Sequence, residues 1–391
     1  MSPNQHLIKL YNIGNSCYLN ASLQCLLNNQ IFIDHLKSMT TRGKSVANLS
    51  RFTLLNTLLD LSKDEKPSSP VSLKYILANY SDLFKNNRQQ DCAECLTTIL
   101  DILHNETSEL PTRSFVNYNS NDLSLINKFN QSIKEHIQKL GYSFIDYIFS
   151  GSLISQTRCL ECLLENTTFQ VFNSLTLDIP QLINKQYILE RILNYIPYKK
   201  SVSVIKGYLE SINYDILKIT ELFKELNNQY GPEPPFKTNS EISHNETPNE
   251  SSKHQIPDIK DCLYDYIKDI LTHDVFCDNC HKKTSKQKST NIWSYPKVLT
   301  LVLNRYQNDG LRNNALVEIN YTLNFDNKYR YLLKTIVNHQ GSSQFSGHYT
   351  VNVIINDQEI YIIDDEQVSK TSFLKYSKDV YILVYCLSED C

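Results

Sequence analysis

The sequence predicts an α+β protein in which helices come first and an antiparallel sheet comes last. Three observations point to this. Apolar residues recur at helical spacing through the first third, as in Leu19, Leu23, Leu26 and Leu27. Runs rich in Val, Ile, Thr, Tyr and Phe, separated by turn residues, fill the last third. From about 145 the pattern changes from helical spacing to strand-like alternation.

In chain order, residues 17–29 read as a helix, and a second apolar-periodic segment covers about 47–62. The stretch "RQQDCAECLTTILDILHNE" (88–106) is amphipathic, with Leu96, Ile99, Leu100 and Leu103 on one side. The polar, Asn-rich residues 107–125 read as a loop. From about 145, "FSGSLISQTRCLECLLENTTFQVFNSLTLDIP" alternates as strands do. Helical periodicity returns over 181–228, where Ile188, Leu189, Ile192, Leu193 and Ile196 share one face and Leu209, Ile212, Ile216, Ile219 and Leu226 another. Residues 231–257 have several prolines, many Ser, Asn and Glu and little to bury, so they read as disordered linker. A short helix over about 259–272 follows. The runs "KVLTLVLNRY", "YRYLLKTIVNHQ", "GHYTVNVII", "EIYIID" and "DVYILVYCL" are then strands separated by turns.

The 391 residues allow one large domain or a few small ones, and 41% hydrophobic with 21% charged residues suits a globular protein. A net charge of −3 gives no push towards nucleic acid or anionic membranes. No apolar run reaches the roughly 18 residues of a membrane span, and the N-terminus lacks the apolar core of a signal peptide. An intracellular protein, in cytoplasm or nucleus, is therefore expected. There its 11 cysteines serve as nucleophile, metal ligands or core residues rather than as disulfides.

Cys17 stands just ahead of the first apolar stripe, behind the turn Gly14-Asn15-Ser16. A helix N-terminus favours the thiolate, so an exposed thiol of lowered pKa is expected, with Ser16 or Asn15 capping the helix. A small buried cysteine is the plain alternative. A nucleophilic cysteine needs a base, and the base needs a partner to orient it. His348 lies where a Gly/Ser loop meets a strand, and Asp364 and Asp365 end the next strand, so hairpin geometry can pair the histidine with an aspartate. His339 is the competing base.

Two pairs, Cys159/Cys162 and Cys277/Cys280, have metal-ligand spacing in polar turn contexts. Together they supply four thiolates, a tetrahedral zinc set, provided each knuckle tops a hairpin and the intervening chain loops out. His281 is a lesser candidate ligand. The third pair, Cys92 and Cys95, sits at i, i+3 in an amphipathic helix and reads as core.

Four segments in fixed order, "NIGNSCYLNASLQ", "QQDCAECL", the two CxxC pairs and "GHY…DD", resemble the ubiquitin-specific proteases, papain-like cysteine peptidases that remove ubiquitin. "PKVLTLVLNRY" resembles the strand that follows the family's second zinc knuckle. The resemblance spans about residues 8–387. It implies a right-hand architecture: a helical thumb (about 8–140), then fingers and palm (about 145–387), with an insertion at about 181–257. It implies Cys17 as nucleophile, His348 as base, Asp364 as its orienting acid, Asn12 as oxyanion donor and Asp365 as a helper beside it. Gln89, Asp91, Glu94 and Tyr349 match positions that meet the ubiquitin tail. One structural zinc on Cys159, Cys162, Cys277 and Cys280 is implied, and no catalytic cofactor. Ubiquitin and ubiquitinated proteins are the implied partners, and the insertion offers room for another protein or is a tolerated surface loop. Three departures stand out: Ile360 and Tyr361 where the family often has Trp, Cys95 for Phe, and the long insertion. A ubiquitin-binding protein without catalysis and an isopeptidase for a ubiquitin-like modifier are the alternatives.

Overall fold

A computed structural model describes residues 7–41, 53–63, 66–108, 122–180, 202–211, 222, 225–226, 256–306, 312–326, 328–343, 345–356 and 358–388. The chain divides into two units, 1–179 with 258–391, and 180–257.

Helix α1 (Cys17–Leu27) is buried at every residue, not only along its apolar stripe. The reason is its place: it touches α2 (Gln30–Thr41) and α5 (Cys92–Thr107) as well as two strands of the large sheet. Its polar residues are therefore buried with partners. Gln24 donates to the Ile8 carbonyl at 2.7 Å, and Ser22 donates to the Tyr18 carbonyl at 2.8 Å. Helices α3 (Thr53–Leu61) and α4 (Val71–Tyr80) complete the layer that packs on α5. Asp91 caps α5 by accepting from the Glu94 amide at 2.9 Å. Cys92 and Cys95 on α5 are both wholly buried, the core role that their spacing suggested.

The stretch read as loop ends at a helix, α6 (Leu123–Leu140), capped by Asp122 and closed by Gly141 at φ 82°. The short α7 (Phe144–Phe149) opens with a capping box of Ser143 and Asp146.

Four strands then form a narrow antiparallel sheet in the order β2-β1-β5-β4. They are β1 (Gly151–Cys159), β2 (Glu165–Phe172), β4 (Ile270–Cys277) and β5 (Lys282–Ser294). Phe129, Ile133 and Ile137 of α6 pack on Ile154 and Trp293 of this sheet. Between these hairpins in sequence lie β3 (Leu175–Leu177), α8 (Val202–Ser211) and α9 (Ile259–Ile267). The helix expected over 259–272 stops early because Ile270 already pairs with Lys288 in the sheet.

The large sheet has eight strands, ordered β12-β11-β10-β9-β14-β6-β3, with β8 (Thr322–Phe325) on β9. Its members are β6 (Val298–Leu303), β9 (Tyr329–Ser343), β10 (Ser346–Asn356), β11 (Glu359–Asp364), β12 (Gln367–Thr371) and β14 (Val380–Leu387). All five strand-like runs of the sequence are found here. β7 (Val317–Glu318) and β13 (Tyr376–Ser377) form a separate pair. Arg305, just after β6, is 1% exposed and spends its guanidinium on the carbonyls of Val380, Asn313, Ala315 and Ser377. It thus ties the β6 exit to β14 and its approach.

In the second unit, α8 lies within the stretch read as helical, and Leu209 is buried. The rest of the 181–228 reading, apart from helical positions at 222 and 225–226, and the 231–255 part of the linker lie outside the described residues. No helix among the described residues is long and apolar enough to cross a membrane.

Candidate active site

The turn before α1 is built by Asn12. Its Oδ1 accepts from the Gly14 amide at 3.0 Å, the Ser16 amide at 3.2 Å and the Ser16 hydroxyl at 3.3 Å. Gly14 at φ 101° and Asn15 at φ 50° supply the left-handed steps that such a turn requires. Neither Ser16 nor Asn15 caps the helix as expected. Ser16 occupies the cap position without a side-chain cap bond, because its Oγ is engaged on the Ile13 amide at 2.9 Å.

Cys17 is the first residue of α1 but is 2% exposed. The expected exposed thiol of lowered pKa is not what the fold builds. Burial pushes the thiol above its ordinary value, and the nearby Asp365 carboxylate adds to the rise. The backbone of Tyr349 works the other way. Helix α1 packs against β10, the strand that carries His348 and Tyr349.

The expected histidine–aspartate pair is formed. β10 and β11 run antiparallel with Val351 opposite Ile363, which puts Thr350 opposite Asp364 and His348 on the same face two residues along. His348 Nε2–H donates to Asp364 Oδ1 at 2.6 Å, with the two side chains 41% and 49% exposed. No hydrogen bond joins His348 to Cys17 among the described residues.

Asp365 turns the chain out of β11 at φ 53°. Its Oδ2 accepts from Asn12 Nδ2 at 2.8 Å and its Oδ1 from Asn20 Nδ2 at 2.7 Å. The carboxylate therefore fixes the amide of Asn12 and links the turn before Cys17 to the sheet. Asn20, which sequence reasoning did not single out, is 3% exposed and also donates to the Tyr11 carbonyl. A polar residue inside the quoted cysteine segment was the only sign of it.

Of the four residues matched to tail binding, Glu94 is exposed and Asp91 partly so. Asp91 accepts from the Tyr381 hydroxyl at 2.6 Å as well as capping α5. Tyr349 is 3% exposed, stacked on His339 with ring centres 4.0 Å apart, and its hydroxyl accepts from the Cys92 amide at 3.4 Å. Gln89 accepts from the Gly347 amide at 2.7 Å and donates to the Gly347 carbonyl. His339 is excluded as the base. It is 1% exposed, its Nδ1 is hydrogen-bonded with the Tyr306 hydroxyl, and burial pulls its pKa down to about 4.

At the far end of the narrow sheet, the four cysteines meet. Cys159 Sγ lies 3.9 Å from Cys280 Sγ, and Cys162 Sγ 3.7 Å from Cys277 Sγ, with all four sulfurs within 4.8 Å of one another. A metal tetrahedron with bonds of about 2.3 Å has sulfur–sulfur edges of about 3.8 Å, so the spacing fits a metal. The two knuckles share one conformation. Each tops a hairpin and is followed by a left-handed residue, Leu163 at φ 60° and His281 at φ 54°. In each, that residue's amide bonds back to the first cysteine's carbonyl, at 3.1 and 2.8 Å. His281 is thereby part of the turn, and the donor set is complete without it.

The profile of the ubiquitin carboxyl-terminal hydrolase family matches residues 8–385. A Vanderwaltozyma polyspora protein named ubiquitin carboxyl-terminal hydrolase 4 is 23% identical over 394 residues, 88% of this chain and 37% of the relative. Mouse ubiquitin carboxyl-terminal hydrolase 3 is 24% identical over 424 residues, 96% of this chain and 67% of the relative. The chain thus spans little more than a third of the first relative's length. Among solved structures, a yeast SAGA DUB module with mutant Sgf73 aligns over 100% of this chain and 70% of its own, with a TM-score of 0.63 at 18% identity. A SAGA DUB module of Ubp8, Sgf11, Sus1 and Sgf73 bound to monoubiquitin aligns over 99% of this chain and 71% of its own, with a TM-score of 0.59 at 18% identity. These likenesses establish the fold, and the profile match over nearly the whole length establishes kinship: the chain belongs to the ubiquitin carboxyl-terminal hydrolase family.

Proposed function

We propose that this chain is a deubiquitinating cysteine protease that hydrolyses the bond after the C-terminal glycine of ubiquitin. The observation that carries the reading is the His348–Asp364 pair, formed on the strand β10 that packs against the helix headed by Cys17. With Nε2–H committed to Asp364, the base is the other ring nitrogen, Nδ1. Because Cys17 is buried with a raised pKa, its proton is removed as attack occurs: Nδ1 takes it, and the sulfur adds to the carbonyl carbon. Asn12 has one amide hydrogen on Asp365 and a second that can donate to the oxyanion, worth about 2.7–4 kcal/mol in the transition state. The imidazolium then gives its proton to the leaving amine, and water hydrolyses the thioester, regenerating the thiol and a free carboxylate.

The substrate's tail is extended, basic and ends in two glycines. The exposed carboxylate of Glu94 and the partly exposed Asp91, whose two oxygens also hold the Glu94 amide and the Tyr381 hydroxyl, offer it acidic partners at the start of α5. Tyr349 and Gln89 stand at the wall beside His348. Gln89 contributes bulk there, since its amide is spent on Gly347. The four-cysteine cluster would hold one structural zinc, which when bound ties the ends of two hairpins.

Ubiquitin carrying a C-terminal electrophile tests the reading, beside Cys17→Ala and a ubiquitin-like modifier with the same group. The expected result is a covalent adduct with ubiquitin, lost in Cys17→Ala. Binding without an adduct would make the chain a ubiquitin-binding protein, and labelling by the modifier alone would replace the substrate.

A further inference from the structure

We propose that Gln89 is a positioning residue for His348, acting through the backbone of Gly347. The inference rests on the cleavage reading, and four observations support it. First, the β9–β10 ladder is irregular just before the histidine. Ser346 pairs with Ser343 and His348 with Gln340, so Gly341 and Ser342 of β9 stand against Gly347 alone. A bulge of this kind re-aims the side chains beside it and leaves the ladder locally weak.

Second, the two backbones approach so closely that only glycine fits on either side. A Cβ on Gly347, which sits at φ 153°, would lie 2.5 Å from the Gln340 carbonyl oxygen and 2.6 Å from the Gly341 Cα. A Cβ on Gly341 would lie 2.0 Å from the Ser346 carbonyl oxygen. Glycine is also the residue whose backbone is freest to drift, so something else must hold it.

Third, the Gln89 side chain supplies that hold. Its Oε1 accepts from the Gly347 amide at 2.7 Å and its Nε2 donates to the Gly347 carbonyl. A primary amide presents one acceptor and one donor side by side, the pattern a neighbouring strand would offer. Gln89 thus acts as a one-residue strand partner where the ladder is irregular.

Fourth, the same loop fixes the other side of the histidine. The Cys92 amide donates to the Tyr349 hydroxyl, and Asp91 accepts from Tyr381. The chain from Gln89 to Cys92 therefore clamps Gly347 and Tyr349, the residues before and after His348. His348 itself is half exposed and bonded through its ring to Asp364, so its placement follows the backbone it stands on.

Two variants grade the effect. Gln89→Met removes both bonds. Gln89→Glu keeps the shape and the acceptor for the Gly347 amide but loses the donor. Two readouts are needed: steady-state cleavage of ubiquitin with a C-terminal fluorophore, and the pH profile of Cys17 alkylation by iodoacetamide, which needs no ubiquitin. A misplaced catalytic group costs about tenfold to a hundredfold, so Gln89→Met should lose that much in kcat with KM within about twofold, and Gln89→Glu should fall between. The alkylation profile of Gln89→Met should lose the step that His348 contributes and approach that of His348→Ala. A rise in KM with kcat unchanged would make Gln89 a tail-contact residue and overturn the proposal. So would an alkylation profile identical to the parent in both variants. If the parent cleaves no ubiquitin substrate, the cleavage reading fails, while the alkylation profiles still decide whether Gln89 positions His348.

Discussion

At Cys17 the environment opposes the chemistry asked of it. The site keeps the thiol protonated by burying it and by holding Asp365 nearby, while the Tyr349 backbone and the helix start favour the anion. Asp365 has a second duty, since it fixes Asn12 and Asn20 through its two oxygens. These duties predict effects of opposite sign for Asp365→Asn. Removing the negative charge lowers the thiol pKa, so a larger share of Cys17 is ionised at neutral pH and iodoacetamide should alkylate it faster. The new amide would face Asn12 or Asn20 donor to donor, so Asn12, the proposed oxyanion donor, loosens and turnover should fall by about tenfold or more. Faster alkylation with slower turnover is the expected outcome, read by parallel alkylation and cleavage assays across pH 6 to 9. A parallel fall in both would mean that Asp365 holds the nucleophile itself. Cys17 and His348 could be singled out in the sequence because each sits in a recognisable local context, while the choice of Asp364 over Asp365 came from the family resemblance. The thiol's raised pKa was not legible there, because it depends on what closes over α1 from α5 and the sheet. Asn20 was missed for the same reason: only a helix buried on all faces turns a polar position into a structural one.

Among the elements, the narrow sheet is the least self-sufficient. β4 is exposed at every residue except Cys277, and most of β2 and β5 is partly or wholly open to solvent. Its near end is held by α6 through Phe129, Ile133, Ile137 and Trp293, but the knuckle end has little apolar burial. Beyond the last β1–β5 rung, Cys159 opposite Lys286, and the Leu160–Ser285 backbone bond, the four sulfurs at metal spacing bring the two turns together. The purified chain is therefore expected to carry one zinc, measurable by elemental analysis. Chelation, or Cys159→Ser, should cost several kcal/mol and lower the melting temperature by roughly 5–10 °C. Absence of stoichiometric metal together with an unchanged Cys159→Ser melt would rule the site out. The knuckles were plain in the sequence because metal spacing is local. The strands flanking the second knuckle were harder to see. In β5, "KKTSKQKSTNIWS" lacks the apolar alternation of a half-buried strand, since both faces meet water for most of its length. Helix α6 did carry its pattern, Phe129, Ile133 and Ile137 between Asp122 and Gly141, but the Asn-rich approach obscured its start.

For the whole molecule, the division at 180–257 bears on what the insertion does. Both of its roots are anchored independently within the first unit. On the entering side, β3 pairs in parallel with β6, Leu175 opposite Leu301, and Leu175 and Leu177 are buried. On the leaving side, α9 starts with its own capping box of Asp258 and Asp261, and Asn320 donates to Asp258 at 3.0 Å. Ile259, Cys262 and Leu263 of α9 join the same core as β3, and the two elements touch. The chain thus leaves and re-enters the first unit at neighbouring points, so a short connection can replace what lies between. Loop closure depends weakly on length, so exchanging residues 181–256 for a short Gly/Ser linker should change stability by about 1 kcal/mol or less. The variant should remain soluble, melt cooperatively, and react with the ubiquitin electrophile at a rate within a few-fold of the parent. Loss of folding would show that the second unit completes the core. A folded variant that no longer labels would place part of the ubiquitin grip in the insertion, and would move part of substrate selection away from the residues around Cys17 and His348.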